Sequence, residues 1–373
     1  MAKIHKYSGA GNTFVVLDGR TEDVSEFRTP ERIKALCTQY STDGLMILSA
    51  VSACAAMSDG RVSASTCPIA SGMPESPSSV MPEPPSSGMP DPSSSALPGH
   101  SSPVMPGSSS GLPGHSSPGM PGSSPSVMPD LIGHLPFDFS MEFFNPDGTG
   151  GMMCGNGGRC IVAFADSLGI RPASGSLYRF LAPDGPHVAE ILSRDCGRLT
   201  VRLKMIDVKE FYPVLDGWFV NTGTRHFVKF VPDADAVDVD TEGRRLRWDD
   251  AFAPIGANVN FVSVDPDGAL RVRTFEKGVE GETLACGTGI TASAIAAYLD
   301  SRKEENSFPG QKKCPRNSFI PFSTIPTHFV IPDLIGNPVS FEIQARQDRL
   351  SVEFTPGSDH FTDVYLTGPA EEL

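Results

Sequence analysis

The feature that most constrains the fold is an internal duplication of the chain. Three segments of the first half match three segments of the second half, in the same order and with related spacing. The matched pairs are 11–16 with 224–229, 144–157 with 275–289, and 187–201 with 339–352. In the second pair, both members end in a Cys-Gly-x-Gly motif, at Cys154 and at Cys286. A duplication of this kind predicts two related units with one shared architecture.

Two stretches of unusual composition interrupt the duplicated chain. Residues 71–130 contain 15 Pro, 8 Gly and 19 Ser, and an apolar-Pro step recurs about every eight residues. Such a stretch has too little apolar mass to offset its ordering entropy, which favours a solvated Pro-rich coil; a recognition arm for a partner is the alternative. The second stretch, 303–338, contains a segment, 330–336, that differs from 127–133 at one position. We interpret both stretches as insertions derived from one repeated element.

The domain boundaries follow from the duplication and the insertions. We predict an N-terminal unit over 1–205, which carries a disordered insert at 49–136. A C-terminal unit covers 206–365 and carries the insert at 303–338. The tail, 366–373, is predicted to return to the N-terminal unit.

Hydrophobic periodicity predicts the elements within each unit. The predicted strands are 14–17, 199–203, 260–264 and 350–354, and the predicted helices are 160–168 and 290–299. The second helix is almost entirely small or apolar, as expected of a helix enclosed by a sheet. The fold class is therefore α+β: two pseudo-twofold-related units, each a mostly antiparallel sheet around a central helix, with two low-complexity insertions.

Charge and cysteine usage exclude several classes of function. The net charge of −14 argues against nucleic acid or an anionic membrane as a partner. The N-terminal residues show no apolar signal region, and no apolar run approaches the ~18 residues of a membrane helix, so we expect a cytoplasmic protein. Eight cysteines without a CxxC motif are then expected to be free thiols, with neither a disulfide framework nor a structural metal.

The two motif cysteines carry the predicted chemistry. Each precedes a Gly-x-Gly turn and a helix, where free backbone N–H groups and the helix dipole favour a thiolate and can also bind a carboxylate. We therefore expect the pKa of both thiols to fall. If the units face each other, a substrate Cα between the helix starts has one sulfur on each side. One thiolate can then remove the α-proton while the opposite thiol delivers another, which is what epimerisation at carbon requires. The other six cysteines have no counterpart and are interpreted as structural or incidental.

These motifs closely resemble the diaminopimelate epimerase family. The resemblance rests on 6–14, 144–148 with 154–160, 258–261, 276–278 with 282–289, and 367–370. It implies an isomerase that converts LL-diaminopimelate to meso-diaminopimelate, a precursor of lysine and peptidoglycan, without pyridoxal phosphate, another cofactor or a metal. It also implies a homodimer. In this direction the family assigns Cys286 as the base and Cys154 as the acid.

The same resemblance assigns further site residues. His226 and Glu276 join the two cysteines as catalytic residues. The substrate-binding residues are Asn12, Asn145, Gly155, Asn156, Asn258, Glu276, Lys277, Gly287 and Thr288. The amides of Asn12, Asn145 and Asn258 would hold the distal end of the substrate, and the helix-start N–H groups would hold the reacting carboxylate. Two departures affect distal recognition: Lys277 stands where the family has Arg, and Thr224-Arg225 stands where it has Asn-Pro.

Three other functions stay open at this point. A proline-type racemase or hydroxyproline dehydratase shares the duplicated two-cysteine fold. A catalytically dead scaffold would leave the Pro-rich arm as the functional part. A redox or metal module would use the same two thiols.

Overall fold

Sixteen strands in one continuous sheet and four α-helices make up the part of the chain that the structure describes. The structure is a computed structural model, and it describes residues 2–51, 136–151, 153–173, 175–305 and 336–373. Most of the two predicted inserts lies outside the described residues, and both stay predictions.

The strands are β1 His5–Gly9, β2 Asn12–Asp18, β3 Leu45–Ser49, β4 Phe139–Phe144, β5 Leu177–Ala182, β6 Gly185–Asp195, β7 Arg198–Lys204, β8 Phe211–Val214, β9 Gly217–Asn221, β10 Arg225–Phe230, β11 Asn258–Val264, β12 Leu270–Glu276, β13 Gly281–Thr283, β14 Val339–Gln344, β15 Arg349–Pro356 and β16 Phe361–Glu372. The helices are α1 Pro30–Tyr40, α2 Gly155–Ser167, α3 Val239–Arg247 and α4 Gly287–Glu305.

The sheet is mixed and runs through both halves of the chain. Its order is β1-β2-β3-β4-β5-β6-β7-β16-β15-β14-β12-β11-β10-β9-β8, with β13 paired to β12. The pairs β2–β3, β4–β5, β10–β11 and β12–β14 are parallel, and the other pairs are antiparallel. The prediction of a separate sheet in each unit is therefore wrong, because β16 pairs with both β15 and β7 and so joins the two halves.

Helix α2 lies inside a closed ring of strands. The last strand, β16, also pairs with β1, with Glu372 opposite Tyr7, and this pairing closes the ring formed by β1 to β7 and β16. Every residue from Gly155 to Ala165 is buried. An all-round apolar surface suits a helix that is enclosed on every side.

Helix α4 occupies the corresponding place in the second half. It packs against β9 to β12, β14 and β15. Its inward Thr291 and Ser293 are fully buried, and their hydroxyls donate to the carbonyls of Gly287 and Gly289 one turn earlier. These bonds satisfy the hydroxyls within the helix, so polar residues are tolerated in the core.

Two further helices lie outside the ring and were not predicted. Helix α1 covers one face of β2 through Ile33 and Leu36, and α3 covers β11 and β12 through Val239 and Leu246. Their sequences are mostly polar with a narrow apolar stripe, which is a weaker signal than the apolar run of α4.

The predicted strands are confirmed, each within a slightly longer observed strand: β2, β7, β11 and β15. The predicted helix starts are wrong: α2 begins five residues earlier than expected, at Gly155, and α4 begins three residues earlier, at Gly287. Glycine has a low intrinsic helix propensity, so the sequence pattern predicted both helix starts too late in the chain. Tertiary packing outweighs it here, because these glycines allow the two helix starts to touch.

We predict that replacing residues 49–136 by a short turn that contains Asn-Gly leaves a folded protein. β3 and β4 are adjacent antiparallel strands with Leu48 opposite Met141, so a hairpin can join them directly. A shorter connection lowers the entropic cost of closing the loop. The free energy of unfolding should therefore stay the same or rise by up to about 2 kcal/mol. Urea unfolding of both proteins measures this. Loss of soluble protein in the deletion alone would show that the insert packs on the core.

Candidate active site

The two motif cysteines lie where the starts of α2 and α4 meet. The Cys154 carbonyl accepts the first helical hydrogen bond of α2, from Gly158, and the Cys286 carbonyl accepts that of α4, from Ile290. A Cβ built on Gly155 would lie 3.7 Å from Gly287 Cα, and one built on Gly287 would lie 3.5 Å from Gly155 Cα. The helix starts are thus in direct backbone contact, and both present their free N–H groups to the same space.

A cavity of about 1000 Å³ opens over this contact. Eight of the predicted site residues line it: Asn12, Asn145, Cys154, Gly155, Glu276, Cys286, Gly287 and Thr288. Thr224, one of the departures from the family pattern, also lines the cavity. The duplication therefore brings both cysteines and most of the predicted binding residues to one site.

A chain of hydroxyl and imidazole groups leads to Cys286. The Thr288 hydroxyl lies 3.3 Å from Cys286 Sγ, and His226 Nε2 lies 3.0 Å from the same hydroxyl. Thr224 Oγ1 lies 2.8 Å from His226 Nε2 and 3.1 Å from Thr288 Oγ1. His226 is fully buried and does not line the cavity, so Thr288 separates it from the thiol.

The bonds of Asn260 fix the tautomer of His226. Asn260 Oδ1 accepts from Thr274, so its Nδ2 donates to His226 Nδ1, at 3.0 Å. The proton of the neutral imidazole is therefore on Nε2, facing the two threonine hydroxyls. Burial lowers the pKa of His226 to about 3, so the ring is neutral at physiological pH. Because Nε2–H donates into the threonine pair, the Thr288 hydroxyl can direct its own proton at Cys286 Sγ.

Cys154 has a different environment. Burial raises the pKa of Cys154, and the backbone N–H groups of Gly157 and Asn156, together with the nearby guanidinium of Arg159, oppose this increase. Asn156 does not line the cavity. Its side chain donates to Asn12 Oδ1 at 2.6 Å and to the Ala285 carbonyl at 3.0 Å. Its backbone N–H is directed toward the sulfur of Cys154.

The expectation that both thiol pKa values fall is wrong. Burial raises the pKa of Cys154 and of Cys286, and this effect exceeds the opposing effect of the helix-start N–H groups. The half-buried Glu276 carboxylate raises both values further by its charge. Burial also raises the pKa of Glu276 itself. The loss of water from an enclosed site thus outweighs the helix dipole.

Besides Asn156, the structure leaves two further predicted binding residues, Asn258 and Lys277, outside the cavity. The Asn258 side chain is occupied by backbone groups, since it donates to the Arg225 carbonyl and accepts from the Lys277 N–H. Lys277 is exposed and does not line the cavity. The charge of Arg225 is also directed elsewhere, because its guanidinium lies 5.3 Å from the centre of the Phe219 ring.

Sequence reasoning missed two groups at the site. Asp184 and His187 form a pair, 3.0 Å apart, at the hairpin between β5 and β6 and line the cavity. The sequence feature that indicates this pair is the spacing of three residues between Asp184 and His187, across a Gly-Pro turn. Arg159 lies within the motif 154–160 but was not predicted as a site residue. A charged residue within an apolar helix is itself a signal, since buried charges are rare.

Within the described ranges, no group of three or more His, Cys, Asp or Glu side chains is placed to hold a metal ion. The helices described are also all too short or too polar to cross a membrane. The cysteines described, Cys37, Cys154, Cys160, Cys196 and Cys286, are free thiols. Cys37 and Cys160 are buried, and Cys196 is exposed; Cys54, Cys67 and Cys314 lie outside the described residues.

Comparison with known proteins gives the fold and the family. A solved structure of the phenazine biosynthesis protein of Bacillus anthracis, from the PhzF family, aligns over 99% of this chain and 96% of its own, with a TM-score of 0.52 and 9% identity. This likeness is one of fold alone. The family model for diaminopimelate epimerase matches residues 218–310.

Three diaminopimelate epimerases show the extent of the sequence similarity. The protein of Flavobacterium psychrophilum is 34% identical over 63% of this chain and 76% of its own length. That of Gemmatimonas aurantiaca is 31% identical over 78% of this chain and 77% of its own length. That of Chlorobaculum tepidum is 45% identical, over 43% of this chain and 63% of its own length.

The fold and the sequence matches together define the class: the chain is a member of the epimerases, which are isomerases. It belongs to the diaminopimelate epimerase family. The resemblance inferred from the motifs is thereby confirmed.

We predict that His226 makes the stability of the fold fall in acid. Because its pKa is lowered from 6.5 to about 3, only the unfolded chain takes up this proton between those values. The resulting stabilisation is complete above pH 6.5, and about 2 kcal/mol of it should be lost by pH 5. Urea unfolding at pH 7.5 and pH 5 should therefore show a smaller pH difference for His226→Gln than for the wild type. Equal differences in the two proteins would contradict a neutral, buried His226.

Proposed function

We propose that this protein epimerises LL-diaminopimelate to meso-diaminopimelate by a cofactor-independent mechanism with two cysteine bases. The observation that carries the proposal is the meeting of two cysteine-bearing helix starts in one cavity, in a chain that belongs to the diaminopimelate epimerase family. We further propose that the two halves are related by a pseudo-twofold axis through this contact. The matched sequence segments and the corresponding places of α2 and α4 support that relation.

The reacting carboxylate of the substrate would bind to the free N–H groups at both helix starts. The donors are those of Gly155 and Asn156 on α2 and those of Gly287 and Thr288 on α4. Two helix dipoles that point at one carboxylate stabilise the negative charge that develops as the α-proton leaves. These N–H groups stabilise the transition state more than the bound substrate, because the negative charge is greater in the transition state.

The proton is exchanged between opposite faces of the α-carbon. The Cys286 thiolate takes the α-proton of the LL isomer and becomes a thiol, while the C–H electron pair remains on the α-carbon. The Cys154 thiol then gives its proton to the opposite face and becomes a thiolate. In the reverse direction the two residues exchange roles. Burial suits this chemistry, because a thiolate with a raised pKa is a stronger base toward a weakly acidic carbon.

Three groups support the two sulfurs. Thr288 donates to Cys286, and His226 keeps the Thr288 hydroxyl in that orientation, so His226 acts as a positioning residue. Glu276 lines the cavity close enough for its charge to affect both thiols. A carboxylate at that position can accept from the substrate α-ammonium.

The distal end of the substrate would meet the amides Asn12 and Asn145, which can donate to a carboxylate and accept from an ammonium. The wall of the cavity also carries the carboxyl groups of Asp43, Asp184 and Asp207. This acidic lining suits a substrate with two ammonium groups. We propose that Asn258 and Lys277 shape the distal end through the turn after β12. We also retain a cytoplasmic location, a homodimer and a role in lysine and peptidoglycan precursor synthesis as proposals.

Incubation with LL-diaminopimelate in D2O tests the function. We expect meso-diaminopimelate with deuterium at the inverted α-carbon, detected by NMR and mass spectrometry. Exchange with L-proline or hydroxyproline and none with diaminopimelate would instead assign a proline-type racemase. No exchange with any of them would indicate a scaffold without activity.

We predict that Cys154→Ala and Cys286→Ala each lower kcat for epimerisation by at least about 100-fold, the typical effect of losing a general acid or base. Each variant retains a sulfur on one face only, so inversion cannot be completed. Cys196→Ala is the matched control, because Cys196 is exposed and does not line the cavity. If either active-site variant kept more than about a tenth of wild-type activity, the two-base mechanism would be wrong.

A further inference from the structure

Arg159 is a fully buried charged side chain directly behind the reacting centre. It lies in the second turn of α2, inside the ring of strands, with an exposed fraction of 0%. Among the residues that the structure describes, it forms no ion pair with a carboxylate. Burial lowers the pKa of this guanidinium. Burying a charge without a charged partner costs stability. The role of Arg159 is therefore inferred from the neutral groups to which it donates.

The partners of Arg159 all lie at the start of α2 or on β16. Its guanidinium donates to the Gly155 carbonyl at 3.3 Å, to Asn156 Oδ1 at 2.9 Å and to the Pro369 carbonyl at 3.3 Å. Gly368 makes room for this contact, since a Cβ there would lie 3.2 Å from Arg159 Nε.

The bond from Arg159 determines which way the Asn156 amide faces. A guanidinium can only donate, so it must face the amide oxygen. The amide nitrogen then faces the opposite way and donates both of its hydrogens, to Asn12 Oδ1 at 2.6 Å and to the Ala285 carbonyl at 3.0 Å. With the amide reversed, its oxygen would face two acceptors and its nitrogen would face a cation. Arg159 therefore selects one orientation.

In this orientation Asn156 connects the two cysteine-bearing segments. It comes two residues after Cys154 on α2, and its acceptor Ala285 immediately precedes Cys286. The same amide holds Asn12, which lines the cavity. We call Arg159, Asn156, Asn12 and Ala285 the amide brace.

We propose that Arg159 is a positioning residue for the reaction: by orienting the Asn156 amide, it fixes the separation of Cys154 and Cys286 through the amide brace. This rests on the proposed two-cysteine mechanism. Epimerisation requires both sulfurs to be aligned on one carbon at the same time, and misplacement by about 1 Å can cost about 100-fold in rate.

The first test is a double-mutant cycle on kcat. Arg159→Lys keeps the positive charge but loses the planar fork of donors. Asn156→Ala keeps the backbone N–H and removes the bridging amide. We expect each to lower kcat at least about tenfold, with KM changed less than about threefold. Because both variants break the same brace, the double variant should be little worse than either single one.

Thr291→Val is the matched control. Thr291 is the residue of α4 that corresponds to Arg159 in the duplicated motif, and its buried hydroxyl donates to the Gly287 carbonyl. Its loss should lower Tm without changing kcat, since it crosses to no other segment. If Thr291→Val lowers kcat as much as Arg159→Lys at an equal loss of Tm, or if the Arg159 and Asn156 effects are additive, the proposal is overturned.

A second measurement does not need the substrate. The two free thiols flank one cavity, and an oxidant such as diamide should join them as a disulfide, which mass spectrometry detects. Without the brace, the distance between the two cysteine-bearing segments is no longer fixed. We therefore expect the rate of disulfide formation to change at least about threefold in Arg159→Lys and Asn156→Ala. The rate in Thr291→Val should not change. If the wild type fails to act on diaminopimelate, the proposed function fails, and this rate alone then decides the positioning role. An unchanged rate in both brace variants would overturn it.

Discussion

The contact between the starts of α2 and α4 is the constraint on which the rest of the site depends. Gly155 and Gly287 touch at the backbone, so the positive ends of two helix dipoles converge on the same few ångströms. That arrangement is unfavourable on its own, because like partial charges face each other in a poorly solvated space. An anion between the helix starts relieves it. This contact is the physical basis of the proposal that the helix starts bind the reacting carboxylate and stabilise the charge that forms beside it.

The duplicated motif does not make the two cysteines chemically equal. Cys286 faces a neutral chain of Thr288, Thr224 and His226, while Cys154 lies near the guanidinium of Arg159. One sulfur is therefore supported by hydrogen bonds and the other in part by a formal charge. In the proposed mechanism each stereoisomer presents its α-proton to a different sulfur, so the two directions of the reaction use thiols in different environments.

Much of the site could be predicted from the sequence, and the failures have physical causes. The paired cysteines and the core strands follow from local patterns that packing reinforces, so β2, β7, β11 and β15 lie where alternation placed them. The glycine-rich helix starts were missed because their stability comes from contact with a distant segment, which propensity does not record. The direction of the thiol pKa shifts was wrong because burial depends on the whole fold. His226 was predicted as a catalytic residue, but its position behind Thr288 was not predicted, since the intervening hydroxyl is visible only in three dimensions.

The pairing of β16 has a consequence for how the molecule assembles. This strand follows all the other strands of the ring in the chain, yet it pairs with β1, so His5 and Glu372 come into contact across 367 positions of sequence. Until β16 arrives, β7 and β1 both present open edges and α2 has no complete enclosure. Among the strand pairings of the sheet, this one closes the longest loop. It therefore has the largest entropic cost and forms slowly. During synthesis, the apolar helix α2 of the first half therefore stays exposed until β16 has been made.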